Sequence, residues 1–155
     1  MRATLACMIL VCSAALGLAA GPASGQADPF KAKPAARSSD EIAIEKWAKD
    51  GGGYGKAKAA TGKRFVIVTF LGVAPGTAIA YVAKDFDLAV DNQTIRPYGV
   101  TVWSNIKGQE AFKPEVAMSN MLLSESKPIS VAFEVPAAAK GGKLKVKDVT
   151  HALRW

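Results

Sequence analysis

Ile129-Ser130-Val131-Ala132-Phe133-Glu134-Val135-Pro136 is the stretch whose reading decides the fold class. Ile129, Val131, Phe133 and Val135 alternate with Ser130, Ala132 and Glu134, and side chains on a strand point to opposite faces with a period of two. The pattern predicts a half-buried strand, apolar toward a core and polar toward solvent. Pro136 ends it, having no N–H to give to a ladder. Downstream, Gly141-Gly142 lead into Lys143 to Trp155, where Leu144 and Val146 oppose Lys143, Lys145 and Lys147. Upstream, Ser104 to Lys127 is less regular and predicts a long crossing loop with a short helical turn near residues 114–120. Before it, Ile95 to Trp103 reads as a strand that Pro97 and Gly99 interrupt, marking an edge or a bulge.

Further toward the N-terminus, Phe86, Leu88 and Val90 alternate with Asp85, Asp87 and Asp91, and Asp91-Asn92-Gln93-Thr94 turns the chain. Thr77 to Ala83 predicts another strand after the turn at Pro75-Gly76. Phe65 to Leu71 is β-branched and apolar on both faces, as in a central strand covered on both sides. Long crossover helices, which parallel sheets need, are absent from the pattern. The expectation for residues 62–155 is an all-β domain, an antiparallel β-sandwich of about six or seven strands.

Residues 28–61 are dominated by Ala, Lys, Gly, Pro and Ser, which is linker composition. Within them Ser38-Ser39-Asp40-Glu41 fits a capping box, and with Ile42, Ile44 and Trp47 it predicts a short helix near residues 40–49, stopped by Gly51-Gly52-Gly53. Residues 1–27 read as a secretory signal peptide: Arg2 is followed by an uncharged run from Ala3 to Ala20, and Gly25 and Ala27 supply small residues for cleavage after Ala27. The alternative is an uncleaved anchor, through which alone the protein would then contact a membrane. Export to the periplasm or the exterior is the expectation. Cys7 and Cys12, the only cysteines, both fall in this leader. The chain after Ala27 therefore has no disulfide, thiolate metal site or cysteine nucleophile. The whole chain carries 20 basic and 13 acidic residues, and loss of Arg2 with the leader leaves a net +6. Such a balance favours contact with anionic envelope polymers, anionic lipid or nucleic acid, and it also occurs in many secreted proteins with no such partner; a nucleic-acid partner is not expected.

Residues 63–155 resemble a family of immunoglobulin-like β-sandwich domains of unknown function, found in secreted proteins and lipoproteins of bacteria. The resemblance rests on Phe86-Asp87-Leu88 with the turn Asp91-Asn92 and Tyr98, on Val131-Ala132-Phe133-Glu134-Val135-Pro136, and on the closing basic-apolar strand. Where many members have a Pro-Gly turn, this chain has Ser124-Glu125-Ser126-Lys127-Pro128. The resemblance implies an immunoglobulin-like sandwich outside the cytoplasm, and no reaction.

No set of residues has the spacing of a catalytic or cofactor site, and no cofactor or metal is expected. Asp85, Asp87 and Asp91 could hold a hard cation, but a strand fans alternate residues along a face and the calcium-loop Gly and Glu are missing. Asp85 and Asp87 are the residues a carboxylate-dependent hydrolase would use, which needs carboxyls facing across a cleft. His151, the only histidine, lacks a nucleophile elbow to serve. Gly51-Gly52-Gly53-Tyr54-Gly55-Lys56 lacks the Gly-Lys-Ser/Thr ending of a phosphate loop. The candidate binding residues are Lys143, Lys145, Lys147 and Arg154, with Lys140 beside them. On one strand alternate lysines stand about 6 to 7 Å apart and could track an anionic polymer; they could equally guard an exposed strand against aggregation. Trp103 and Trp155 could add stacking to such a face or belong to the core. The expected function is a non-catalytic binding or interaction module with an unidentified protein partner, and the alternative is a binder of envelope polymer through the lysine stripe.

Overall fold

A computed structural model describes residues 30, 32–46, 52–71, 79–81, 85–102, 110–114, 121–123 and 128–155. The described residues form an all-β sandwich. Its large layer contains β1 (Ala35–Ser39), β2 (Glu41–Glu45), β3 (Tyr54–Lys58), β4 (Lys63–Phe70), β8 (Gly99–Val102), β9 (Ala111–Pro114) and β11 (Ile129–Pro136), in the order β1-β4-β11-β8-β9-β2-β3. Its small layer contains β6 (Phe86–Val90), β7 (Gln93–Ile95), β12 (Gly141–Val146) and β13 (Val149–Arg154), in the order β13-β12-β6-β7. A two-stranded ribbon pairs β5 (Ile79–Tyr81) with β10 (Met121–Leu123). All the pairings are antiparallel except that of β2 with β9, Ile44 opposite Phe112.

Between the layers the apolar sides of β4 and β11 meet those of the small sheet. Val66, Val68, Phe70, Val131, Phe133 and Val135 pack against Phe86, Leu88, Val90, Leu144, Val146 and Leu153. The alternation read in Phe86–Val90 and Ile129–Val135 thus fills one core. Phe30 joins it from the N-terminal side, its ring 5.0 Å from Phe70 and 5.5 Å from His151. Pro97 and Gly99, read as interruptions of one strand, instead mark where the chain leaves β7 in the small sheet and enters β8 in the large one.

The large sheet does not lie flat. Only Asp40 separates β1 from β2, yet β1 is the edge strand beside β4, whereas β2 lies between β9 and β3 toward the opposite edge. A single residue can join those positions only if the sheet curls round on itself, its two ends drawn together through Asp40 with no ladder between them among the described residues. The Arg37–Glu110 ion pair joins β1 to the residue before β9, across three intervening strands. Inside the closure Ile42, Phe65, Ile67, Phe112 and Ala132 form a second core, bordered by Ile44, Ala57, Ala59 and Tyr98. Tyr98 meets Phe65 edge-on at 4.9 Å. Hence β4 is covered on both faces, one by the sandwich and one by the barrel interior.

Three expectations are corrected. The helix near residues 40–49 is strand over Glu41–Glu45, while residues 47–50 lie outside the described residues. Ile42 and Ile44 are two apart, a strand spacing, and the Ser39 hydroxyl accepts a hydrogen bond from the Glu41 N–H at 3.3 Å to bend the chain at Asp40. The same Ser/Asp chemistry that caps helices also makes bends. Second, the linker 28–61 and a domain beginning at residue 62 give way to a sheet that includes β1, β2 and β3, and residues 62–155 themselves carry ten strands, β4 to β13, where six or seven were expected. Third, β11 is not half-exposed: Ser130 and Ala132 are buried and only Glu134 and Pro136 are partly open, because the curled sheet covers that face. The leader, the helical turn beyond Pro114 and Trp103 lie outside the described residues.

Candidate functional site

The outward face of the small sheet carries the charged residues singled out in the sequence. Leu144 and Val146 turn into the core, which obliges Lys143 and Lys145 on β12 to face solvent, and both are exposed. Register sets their neighbours. Lys143 lies opposite Ala89 of β6 and Ala152 of β13, and Lys145 lies opposite Asp87 and Thr150. Arg154, exposed at the end of β13, is opposite Gly141. Small side chains around Lys143 leave it standing above a flat surface.

Lys147 departs from the expected stripe, since it lies in the two-residue turn after β12 with a φ of 51°. Its backbone N–H donates to the Asp85 carbonyl at 2.9 Å, tying the turn to the start of β6. A left-handed backbone costs a side-chain-bearing residue about 1 kcal/mol. Lys147→Gly should therefore raise stability by about 0.5–1 kcal/mol despite removing a charge, which a rise in Tm would record.

The acidic residues read as a possible cation site share this face with the lysines. Asp87 pairs with Arg96 at 2.8 Å and lies in register beside Lys145, while Asp85 adjoins Lys147 through the backbone bond. Among the described residues no three His, Cys, Asp or Glu side chains converge as a metal site. Opposite charges in cross-strand register attract each other. The face is thus graded: Lys143 and Arg154 form a positive end near Gly141, and the other end alternates positive and negative groups. That grading comes from register alone, and reading the strands one at a time could not reveal it.

Other marked residues have structural roles. His151 is buried on the inner side of β13 beside Phe30. The Trp155 indole N–H donates to the Ala139 carbonyl at 3.0 Å, and the ring packs against the sandwich core rather than lying on the charged face. The Gly-rich segment enters β3: Gly52 and Gly53 take positive φ, and Lys56 pairs with Glu41 at 2.6 Å. The hydrogen bond from Lys56 holds the Glu41 carboxyl below its ordinary value, and Glu41 raises the Lys56 ammonium in return. Tyr54 is exposed on this edge.

Sequence reasoning missed a polar constellation inside the large sheet. The Thr69 and Ser130 hydroxyls meet at 2.8 Å, and the Thr101 hydroxyl both donates to the Ser130 carbonyl at 2.9 Å and accepts from its N–H at 3.0 Å. Since these hydroxyls satisfy one another or the backbone, the set serves to pin β8 to β11. Comparison with family models, curated proteins and solved structures finds no match to the chain, and the role of the charged face therefore rests on its own geometry.

Proposed function

We propose that this is an exported, non-catalytic interaction module, periplasmic or extracellular, whose contact surface is the outer face of β6, β12 and β13. The observation that carries the reading is the placement of Lys143, on a flat exposed patch between Ala89 and Ala152, at the positive end of a charge-graded face. A surface whose charges alternate in sign selects partners by complementary pattern, which suits a folded protein better than a uniform polyanion. Export is supported by the order of residue types in residues 1–27, where cleavage would also remove both cysteines. The immunoglobulin-like relation is supported by the three features that carry the resemblance, of which Phe86-Asp87-Leu88 lies on β6 and Val131–Pro136 on β11.

Charge reversal tests the reading. The Lys143→Glu/Lys145→Glu double variant should keep the fold, because both residues are exposed, and should weaken capture of a protein partner from envelope extracts by about tenfold or more. Unchanged capture would remove this face from consideration. Loss of binding to acidic polysaccharide alone, with no protein captured by either form, would favour the envelope-polymer reading.

A further inference from the structure

Among the described residues four strands of the two layers have a strand neighbour on one side only: β1 and β3 in the large sheet, β13 and β7 in the small one. An open edge invites pairing unless charge, proline or a bulge blunts it. β3 presents Lys56 and Lys58, β7 has only three residues, and β1 carries Arg37 next to the bend at Asp40. β13 is the longest of the four, six residues without glycine or proline, and Arg154 at its end is the one Lys, Arg, Asp or Glu in it. Its peptide groups are sorted by the turn before it. In a two-residue hairpin the flanking residues, here Val146 and Val149, form a hydrogen-bonded pair, so Val149, His151 and Leu153 direct their peptides to β12. Thr150, Ala152 and Arg154 direct theirs to the open edge.

We propose that two copies of this chain join through β13, pairing antiparallel about a twofold axis at His151. In that register Thr150 of each copy lies opposite Ala152 of the other, and Arg154 lies opposite Asp148. Thr150 and Ala152 are residues whose peptides already face the edge, so the central pairs can exchange both backbone hydrogen bonds. Arg154 and Asp148 are both exposed, and the twofold repeats their attraction at each end of the junction. Placing the axis at Ala152 instead would set Arg154 opposite Thr150 and lose both charge pairs. The two small sheets become one continuous sheet of eight strands, with the Lys143 and Lys145 rows of both copies on one outer face. The pairing depends only on the edge and not on what that face binds.

Analytical ultracentrifugation of the protein expressed as the full chain with its own leader tests this. A concentration-dependent dimer is expected. Arg154→Asp should raise its dissociation constant by about tenfold or more, since two attractions become two repulsions. The swap Asp148→Arg/Arg154→Asp should restore the dimer, with circular dichroism reporting that each variant is folded. A wild-type monomer at about 100 μM, a dimer indifferent to Arg154→Asp, or a folded swap variant that stays monomeric would each overturn the proposal.

Discussion

A fragment beginning at residue 62 should fail to fold, although the composition of residues 28–61 marks them as dispensable. The fragment lacks β1, β2 and β3, and with them the stretch through Asp40 that closes the large sheet. Phe65, Ile67 and Phe112, buried in the intact protein, would lose Ile42 and Ile44 from the core they share. Phe30, wedged between Phe70 and His151, would be lost from the other core. At about 1.5–3 kcal/mol for each buried side chain, Phe30 and Ile42 account for about 3–6 kcal/mol, to which half-buried Ile44 adds. That is comparable with the whole stability of a typical domain, about 5–15 kcal/mol. Near-ultraviolet circular dichroism and urea unfolding should find no cooperative transition in the fragment, where the intact chain shows one. A fragment that unfolds cooperatively would mean that β1 to β3 decorate the sandwich instead of closing it.

What could be read beforehand divides along a physical line. Alternation over Phe86–Val90 and Ile129–Val135 and the apolar run Phe65–Leu71 revealed the sandwich because a buried face leaves a period of two in one segment. The Glu41-Ile42-Ala43-Ile44-Glu45 segment carries the same period, but five residues flanked by Ser, Asp and Gly look like a capped helical turn when no partner strand is in view. Curling of the sheet is less legible still. It follows from which strand pairs with which, and Asp40 has no property that announces strands on opposite sides of a barrel. At the charged face, the exposure of Lys143, Lys145 and Arg154 was readable because Leu144, Val146 and Leu153 had to face inward. The company they keep was not: Asp87 reaches Lys145 only through the register of β6 on β12, set by residues more than fifty positions apart.

Ala132→Glu should be the most damaging single substitution on the face of β11 that resembles a solvent face. Ser130, Ala132 and Glu134 read as the polar side of a half-buried strand, on which one more carboxylate would be harmless. In the fold that side lines the barrel. Ala132 is fully buried, opposite Ile67 on β4 and Gly99 on β8, and its small size leaves room for Phe65 and Phe112. Its two neighbours on the face show why polarity is tolerated at the ends and not in the middle. The Ser130 hydroxyl is taken by Thr69. The Glu134 carboxylate, partly open to solvent, accepts from the Ala60 N–H at 2.7 Å and pairs with Lys63 at 3.5 Å. Position 132 offers an introduced carboxylate neither water nor a cation, and the longer side chain would also overfill the space. An unpaired buried charge costs several kcal/mol and overpacking about 1–3 kcal/mol more. The sum, about 4 kcal/mol or above, should leave the protein unfolded or insoluble near its normal growth temperature. Ala89→Glu supplies the matched comparison, an alanine at the middle of a strand but on the exposed face beside Lys143. It should change stability by no more than about 0.5 kcal/mol, with any shift toward stabilisation through Lys143. Equal thermal stability of the two variants would mean that the second face of β11 is open to water and that the large sheet does not close.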